Sequence, residues 1–224
     1  MHCLWCEMEI IPTVHWGNLV QASRPSSLCE ECTKKLERIK GRRCTKCSRK
    51  TSERICQDCQ WWGSQQEDPL RTNHSVYAYN EFMQEVIAKW KYRGDYVLKD
   101  IFAEAFSQTF IKVFGKQKDA QLIPIPLSNA RLKERGFNQA EALANFLPNP
   151  SLNLLSRTGE EKQSKKSRKE RVTGKNPFVI KETLNKPAIL VDDIYTTGTT
   201  LRHAADLLRQ NGCPEVNAFT LIRG

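Results

Sequence analysis

Hydrophobic and polar positions follow different patterns on the two sides of residue 63. Before that point the chain has few periodic aliphatic residues. After it, runs with helical spacing alternate with short β-prone runs. This alternation predicts an α/β domain with a mostly parallel sheet flanked by helices. We therefore predict a Cys-rich module over residues 1–63 and a larger domain over residues 64–224, with the polar stretch 63–69 as a linker.

The larger domain contains enough periodic segments for a complete sheet with covering helices. Apolar positions at helical spacing predict helices over residues 81–91, 97–114, 138–146 and 200–210. Short apolar or β-branched runs predict extended segments over residues 75–79, 121–126, 152–156, 177–180, 187–191 and 216–221. The continuous apolar run at 187–191 is typical of a parallel strand that is covered on both faces.

Eight of the nine cysteines form four Cys-x-x-Cys pairs within the first 59 residues. Two such turns supply the tetrahedral set of four thiolates that zinc prefers, so we predict two structural Zn²⁺ sites in a double zinc ribbon. The sequential assignment, which we favour, joins the first pair with the second and the third with the fourth; a cross-braced assignment stays open. The predicted ligands are Cys3, Cys6, Cys29, Cys32, Cys44, Cys47, Cys56 and Cys59. The remaining Cys213 is expected to be a small buried hydrophobe.

The formal net charge of +10 says little by itself about the ligand of this chain. Each Cys₄ zinc site carries a charge of about −2, so zinc loading leaves the chain at about +6. Such a balance fits a polyanionic ligand and equally a merely soluble surface. The chain has no apolar run long enough for a membrane span and no secretory signal, so we expect a cytoplasmic location.

A buried strand, two carboxylates and a Thr/Gly turn before a helix occupy residues 189–201. Backbone N–H groups at such a helix start bind phosphate, and threonine hydroxyls add donors. Two vicinal carboxylates accept hydrogen bonds from vicinal ribose hydroxyls. The alternative is an ordinary strand–helix turn with Thr199 as the helix N-cap. The candidate residues for a phosphorylated ribose are Asp192, Asp193, Thr196, Thr197, Gly198, Thr199 and Thr200.

This order of residues resembles the phosphoribosylpyrophosphate (PRPP) motif of the type I phosphoribosyltransferases. The resemblance implies that the acids bind the ribose hydroxyls and that the Thr/Gly loop holds the 5′-phosphate. It also implies a core of about five parallel strands, a flexible catalytic loop, a pyrophosphate loop and Mg²⁺ bound with PRPP.

Two other segments are similar to loops of that fold by their position. Residues 124–138 resemble the pyrophosphate loop, which implies Arg131 and Arg135 for the pyrophosphate because guanidinium forks match phosphate oxygens. Asn138 and Gln139 either support this loop or contact a substrate, and capping of the next helix is a further alternative for Asn138. The basic stretch 157–176 lies where the flexible loop is expected; a disordered insertion and a DNA contact are the alternatives. Its candidate residues are Lys165, Lys166, Arg168, Lys169 and Arg171.

A narrower resemblance covers nearly the whole chain. The four Cys pairs, the segments 89–95 (KWKYRGD), 124–126 (PIP) and 131–139 (RLKERGFNQ), and the acidic–Thr/Gly motif together are similar to the ComF family of competence proteins. The resemblance implies the handling of incoming single-stranded DNA during natural transformation. It further implies a helicase-like competence ATPase of the ComF operon as partner, at the inner face of the membrane, with the membrane contacted only through the uptake machinery.

Two classes of function follow. The favoured one is a DNA-handling competence protein whose phosphoribosyltransferase-like domain binds PRPP. The alternative is an active phosphoribosyltransferase that uses PRPP and Mg²⁺ on an unidentified nitrogenous acceptor.

The aromatic residues allow two interpretations. Trp90 and Tyr92 lie between basic residues that suit base stacking, although Trp90 also fits a core position. Trp61 and Trp62 are expected to dock the Cys-rich module onto the domain, with an aromatic platform as the alternative.

Overall fold

The computed structural model describes residues 1–11, 26–65, 67–92, 94–158 and 176–224. The elements of this described part follow one another as α1 (Glu30–Lys34), α2 (Gln57–Gln65), β1 (Asn73–Ala78), α3 (Glu81–Tyr92), a 3₁₀-helix (Tyr96–Ile101), α4 (Ala103–Phe114), β2 (Gln121–Pro124), α5 (Asn129–Arg135), α6 (Gln139–Ala144), β3 (Leu155–Arg157), β4 (Phe178–Ile180), β5 (Ala188–Tyr195), α7 (Thr199–Gln210) and β6 (Val216–Arg223).

The main sheet has the strand order β1-β6-β5-β2, and every neighbouring pair is parallel. Strand β5 lies inside the sheet, where Val191 is in register with Phe219 of β6. Strands β3 and β4 form a separate antiparallel pair. The predicted α/β class with a mostly parallel sheet is therefore confirmed. The described part of the chain contains four parallel strands in this sheet, one fewer than the resemblance implied.

Both faces of the sheet are covered by apolar side chains. Alternate residues of β5 enter different clusters: Ile189 packs with Trp90 and the phenylalanines around α4, whereas Leu190 packs with α7. Trp90 is fully buried, so its core role is confirmed and it is not available for stacking on bases. Cys213 is also buried, as predicted. Burial on both faces explains why the sequence of β5 is a continuous apolar run.

Several boundaries differ from the sequence prediction. The stretch predicted as a linker from residue 63 is helical as far as Gln65, because α2 continues from the last Cys-x-x-Cys turn. The single helix predicted over residues 97–114 is a 3₁₀-helix followed by α4. Strand β5 does not stop before the acidic pair but includes it and ends at Tyr195. The division of the chain into two domains at residue 63 stays a prediction.

Candidate functional site

The acidic–Thr/Gly motif forms the carboxyl end of β5, the following turn and the first residues of α7. Gly198 precedes α7 in the left-handed conformation with φ of 78°, so Gly198 and not Thr199 occupies the N-cap position. Any Cβ at residue 198 would lie 2.2 Å from the hydroxyl of Tyr195. The hydroxyls of Thr197 and Thr199 are 3.0 Å apart. Glycine is thus required both by the turn and by the close packing behind it.

A cavity of about 230 Å³ opens at this end of the sheet. Its wall combines the motif with basic side chains from α3, α5 and β3. The charged and hydroxyl-bearing lining residues include Lys91, Arg131, Arg135, Arg157, Asp192, Asp193, Thr196, Thr197, Thr199 and Thr200. Ligands of parallel α/β sheets bind at this edge, beyond the carboxyl ends of the strands. The structure therefore brings the predicted acidic pair, the threonines and both predicted arginines around one cavity, and Gly198 forms the turn beneath them.

The two carboxylates of the cavity differ in their surroundings. Asp193 forms an ion pair with Lys91, and each of these side chains is 13% exposed. Burial by itself would raise the pKa of Asp193, but the ammonium of Lys91 outweighs it and the pKa lies below its ordinary value. Burial, followed by the neighbouring Asp193 carboxylate, raises the pKa of Asp192 well above its ordinary value. Asp193 is therefore the ionised partner, and Asp192 is the acid that gains most from a donor or cation supplied by a ligand.

Three guanidinium groups line the cavity together with these acids. Arg135 donates to the amide oxygen of Gln139 at 2.9 Å, and its guanidinium lies 5.6 Å from the ring centroid of Tyr92. Burial, followed by the positive charge of Arg131, lowers the pKa of Arg157. With Lys91, the cavity carries four cationic groups against two acids. The positive charge exceeds the negative charge, and the planar guanidinium groups can each bind two phosphate oxygens. The cavity therefore suits a ligand with more than one phosphate group.

Gln139 accepts the hydrogen bond from Arg135, and the neighbouring Asn138 anchors the segment that carries both. Asn138 accepts a hydrogen bond from the backbone N–H of Ala140 at 3.0 Å, which caps α6. Its amide also donates to the carbonyl of Ile125 at 3.1 Å and ties the cap to the end of β2. The supporting and capping roles predicted for Asn138 are both realised, while Lys133 is exposed and does not line the cavity.

Two cavity residues had no assigned role at the ligand in the sequence analysis. The sequence pattern places Lys91 only among the basic residues around Trp90 and Tyr92, and Arg157 only in the basic stretch 157–176. Their contacts to the motif join residues far apart in the chain, so no local pattern marks them. The predicted loop residues Lys165, Lys166, Arg168, Lys169 and Arg171 lie outside the described residues.

The eight paired cysteines gather into two groups of four in the sequential order. One group comprises Cys3, Cys6, Cys29 and Cys32, and the other Cys44, Cys47, Cys56 and Cys59; in each, all sulfur atoms lie within 4.8 Å of one another. The Cys6–Cys29 and Cys47–Cys56 sulfur distances are both 3.6 Å. A tetrahedron of thiolates around zinc, at about 2.3 Å from the metal, has edges of about 3.8 Å. Both groups thus fit structural zinc, and the favoured sequential assignment is confirmed.

The two Cys₄ groups differ in burial. All four cysteines of the second group are buried, whereas Cys6 in the first group is exposed.

Helix α2 extends from the second group and carries Trp62 towards the turn. The indole N–H of Trp62 donates to the carbonyl oxygen of Thr197 at 3.1 Å. Docking by Trp62 is therefore confirmed, while Trp61 remains 43% exposed. In the described part of the chain, no helix is long and apolar enough to cross a membrane.

Comparison with known proteins gives consistent results. Residues 132–224 match the family model described as a phosphoribosyl transferase domain. The chain is 42% identical to Competence protein ComFC of Bacillus subtilis (strain 168), over 99% of this chain and 94% of that protein. It is 34% identical to Competence protein ComFC of Streptococcus pneumoniae (strain ATCC BAA-255 / R6), over 100% of both chains. It is also 29% identical to the DNA utilization protein YhgH of Escherichia coli O157:H7, over 49% of this chain and 52% of that protein.

Proposed function

The chain belongs to the ComFC family of competence proteins, and on this premise we propose that it handles incoming single-stranded DNA during natural transformation. We further propose that its cavity binds PRPP together with Mg²⁺. The observation that carries the second proposal is the cavity itself, in which an acidic pair, a Thr/Gly turn and three arginines face one volume. The first proposal draws on the names of the relatives and on the excess of basic residues.

PRPP presents three kinds of group, and each has a matching partner in the cavity. Its vicinal ribose hydroxyls suit Asp192 and Asp193, which accept hydrogen bonds. Its 5′-phosphate suits the backbone and hydroxyl donors of residues 196–200 at the start of α7. Its pyrophosphate suits Arg131 and Arg135 on the far wall. Mg²⁺, which prefers carboxylate and phosphate oxygens, would be held by the pyrophosphate and the acidic pair.

The DNA-binding role extends the same positive surface beyond the cavity. Tyr92 is 68% exposed and lies against Arg135 at the rim, so a base can stack on its ring while the phosphates contact arginine. We also propose that the basic residues Lys165, Lys166, Arg168, Lys169 and Arg171 take part in binding, either of the cavity ligand or of DNA. The proposal also includes the helicase-like ATPase as partner and a cytoplasmic location at the inner face of the membrane.

Paired binding measurements on the zinc-loaded chain test the proposal. Calorimetry with PRPP and Mg²⁺ should show binding by the wild type and none by the Asp192→Ala/Asp193→Ala double variant. The matched control is Glu81→Ala/Glu85→Ala, which removes the same charge from exposed positions of α3 and should bind normally. Fluorescence anisotropy with a labelled single-stranded oligonucleotide should give equal or slightly tighter binding for both variants, because negative charge has been removed.

Each result bears on a separate part of the proposal. The proposal assumes that DNA and PRPP bind through different residues. It would be contradicted if the folded Asp192→Ala/Asp193→Ala variant lost DNA binding while the control variant kept it. If the wild type binds PRPP but does not bind DNA, the transferase alternative is favoured. That alternative is tested by pyrophosphate release from PRPP in the presence of candidate nitrogenous bases.

A further inference from the structure

Residues 195–198 form the turn at the cavity, here called the ligand-binding turn, and the carbonyls of its first three residues point to groups behind the cavity. The carbonyl oxygens of Tyr195 and Thr196 accept hydrogen bonds from Nη1 of Arg223, at 3.2 and 3.0 Å. The next carbonyl, of Thr197, accepts from the indole N–H of Trp62 at 3.1 Å. Three successive peptide units are thereby fixed from one side.

Fixing these carbonyls also fixes the donors on the opposite side of the turn. In a trans peptide unit the C=O and the following N–H point in opposite directions. The N–H groups of Thr196, Thr197 and Gly198 are therefore directed away from Arg223 and Trp62. Among the described residues, none of these three N–H groups has an acceptor. Successive free N–H groups of this kind form a concave site for an anion.

Arg223 connects this turn directly to the second Cys₄ group. Its Nη2 lies 3.6 Å from the sulfur of Cys47, to which it donates, and the arginine is 5% exposed. Its guanidinium also lies 4.8 Å from the ring centroid of Tyr195. A donor to a metal-bound thiolate orients that ligand and is in turn held by it. One buried guanidinium thus contacts a predicted zinc ligand on one side and the turn on the other.

Trp62 provides a second connection, from helix α2 that carries Cys59. Its ring covers the guanidinium of Arg202 with 4.4 Å between the guanidinium carbon and the ring centroid. Arg202 forms two hydrogen bonds with the carboxylate of Asp68, at 3.0 and 2.9 Å, and donates to the hydroxyl of Tyr195 at 2.8 Å. The second Cys₄ group, α2 and the turn therefore form one continuous packed unit.

The first Cys₄ group has different neighbours. Its residues pack against α3, where Lys89 lies 5.6 Å from the ring centroid of Trp5. Ser27, next to this group, donates to the carbonyl of Asp100 at 3.2 Å. Within the described ranges, no hydrogen bond joins the first group to the turn at residues 195–198. Any influence of zinc on the turn should therefore come from the second group.

We propose that the second Cys₄ group positions the ligand-binding turn through Arg223 and Trp62, so that zinc at this group is coupled to binding of the phosphorylated ligand. Arg223 and Trp62 are positioning residues in this scheme, since they act through the backbone of the turn. The inference rests on the proposed function only in taking PRPP as the ligand. The coupling is reciprocal, because a ligand that favours the zinc-held form of the turn also favours retention of that zinc.

The first test uses Arg223→Lys in the zinc-loaded full chain. Lysine keeps the positive charge but cannot contact the sulfur and two carbonyls together. Backbone NMR should show shifted amide resonances for Thr196, Thr197 and Gly198, and calorimetry with Mg²⁺ should show about tenfold weaker PRPP binding. Zinc content is measured on the same samples and should stay at two ions per chain. The matched control is Arg71→Lys, an exposed arginine at the other end of the sheet, which should change neither quantity.

The outcomes distinguish this inference from the proposed function. Unchanged amide resonances and unchanged PRPP affinity in Arg223→Lys would overturn the positioning role. Shifted resonances in a protein whose wild type does not bind PRPP would support the connection and reject PRPP as the ligand. If Arg223→Lys does not fold, Trp62→Phe keeps the ring over Arg202 and removes only the hydrogen bond to Thr197. That variant should still shift the Gly198 amide, and an unshifted Gly198 amide would count against the inference.

The coupling to metal has its own test in Cys6→Ser, which should retain zinc only at the second group. Zinc transfer to a chromogenic chelator is timed with and without PRPP and Mg²⁺. We expect the ligand to slow zinc loss about tenfold, in proportion to the coupling. Equal rates at a PRPP concentration that saturates the variant would overturn the coupling.

Discussion

The ammonium of Lys91, in the last turn of α3, pairs with the carboxylate of Asp193 near the carboxyl end of β5. The adjacent Asp192 has no cation of its own at such close range among the described residues. Two neighbouring carboxylates in one cavity thus have opposite energetic roles before any ligand binds. Asp193 contributes to folding through its ion pair, whereas the ionised form of Asp192 is disfavoured by burial and by Asp193.

Neutralising the two acids one at a time should therefore change stability in opposite directions. Asp192→Asn replaces a carboxyl group whose ionisation is opposed by burial and by Asp193, and it should raise the free energy of unfolding by about 1 kcal/mol. Asp193→Asn leaves Lys91 without its partner and should lower it by about 2 kcal/mol. Urea unfolding of the zinc-loaded proteins near pH 7 measures both. Both variants should nevertheless lose PRPP binding, and changes of the same sign in stability would contradict the unequal roles.

The pH dependence of these differences follows from the direction of each pKa shift. The raised pKa of Asp192 gives a stabilising contribution that is complete below the ordinary value of 3.8 and is lost as the pH rises through the folded value. The advantage of Asp192→Asn should accordingly grow with rising pH. The lowered pKa of Asp193 stabilises above the ordinary value and is lost as the pH falls. Unfolding measured from about pH 4 to about pH 8 should show the Asp192→Asn advantage increasing up to the folded pKa of Asp192, while a constant difference over this whole range would rule out the raised pKa.

Gly198 offers a test of the packing behind the turn. Gly198→Ala places a Cβ 2.2 Å from the hydroxyl of Tyr195 and 2.3 Å from Nη1 of Arg202, so the bond between these groups must shift. We expect a loss of about 3 kcal/mol in unfolding free energy. Gly136→Ala is the matched control: Gly136 has the same φ of 78°, but no atom lies within 4 Å of the added Cβ. It should lose only about 1 kcal/mol, and equal losses at the two positions would refute the packing argument.

The difference in burial between the Cys₄ groups predicts two rates of zinc loss. Each folded chain should contain two zinc ions by elemental analysis. A chelator should remove the ion of the first group faster, because Cys6 is exposed while all residues of the second group are buried. Cys6→Ser should abolish the fast phase and leave the slow one. A single phase for two ions in the wild type would contradict this distinction.

The local part of the site was predictable from sequence, and the long-range part was not. Residues 192–200 carry their own geometry, because a buried strand, a glycine at positive φ and a helix start follow one another directly. The contacts of Lys91 to Asp193 and of Arg223 to Cys47 join residues that no periodicity relates. Arg223 in particular is the last residue of β6 and lies beyond residue 221, where the apolar pattern ended the predicted strand.

The shifted start of the predicted linker has a similar cause. Gly63 and the polar residues after it have low helix propensity and favour a loop. Helix α2 nevertheless continues as far as Gln65, because Trp62 packs on Arg202 and Asp68 pairs with the same arginine. Tertiary contacts of this kind outweigh local propensity, and they can be seen only when both ends of the chain are placed together. The sequential Cys pairing was predictable because neighbouring turns reach one metal without long-range information.

The basic stretch is tested by a loop variant in which four residues become alanine, namely Lys165, Lys166, Arg168 and Lys169. If this stretch binds single-stranded DNA, the affinity of the zinc-loaded chain should fall at low salt. The slope of log affinity against log salt should also become shallower by about 0.7 for each phosphate that the variant no longer neutralises. Anisotropy titrations of a labelled oligonucleotide over a salt series measure both quantities.

Net charge alone also affects DNA binding, so the loop variant needs a control that removes the same charge elsewhere. Four exposed basic residues near the amino ends of the parallel strands serve this purpose: Arg71, Lys112, Lys116 and Lys118. Replacing them by alanine should weaken binding only slightly, because charges farther than about 10 Å from the DNA are largely screened at 0.1 M salt, whereas a direct contact with phosphate acts at close range. Equal reductions of affinity in the two variants would show that overall charge governs binding. A reduction confined to the control would move the DNA surface to the opposite end of the sheet.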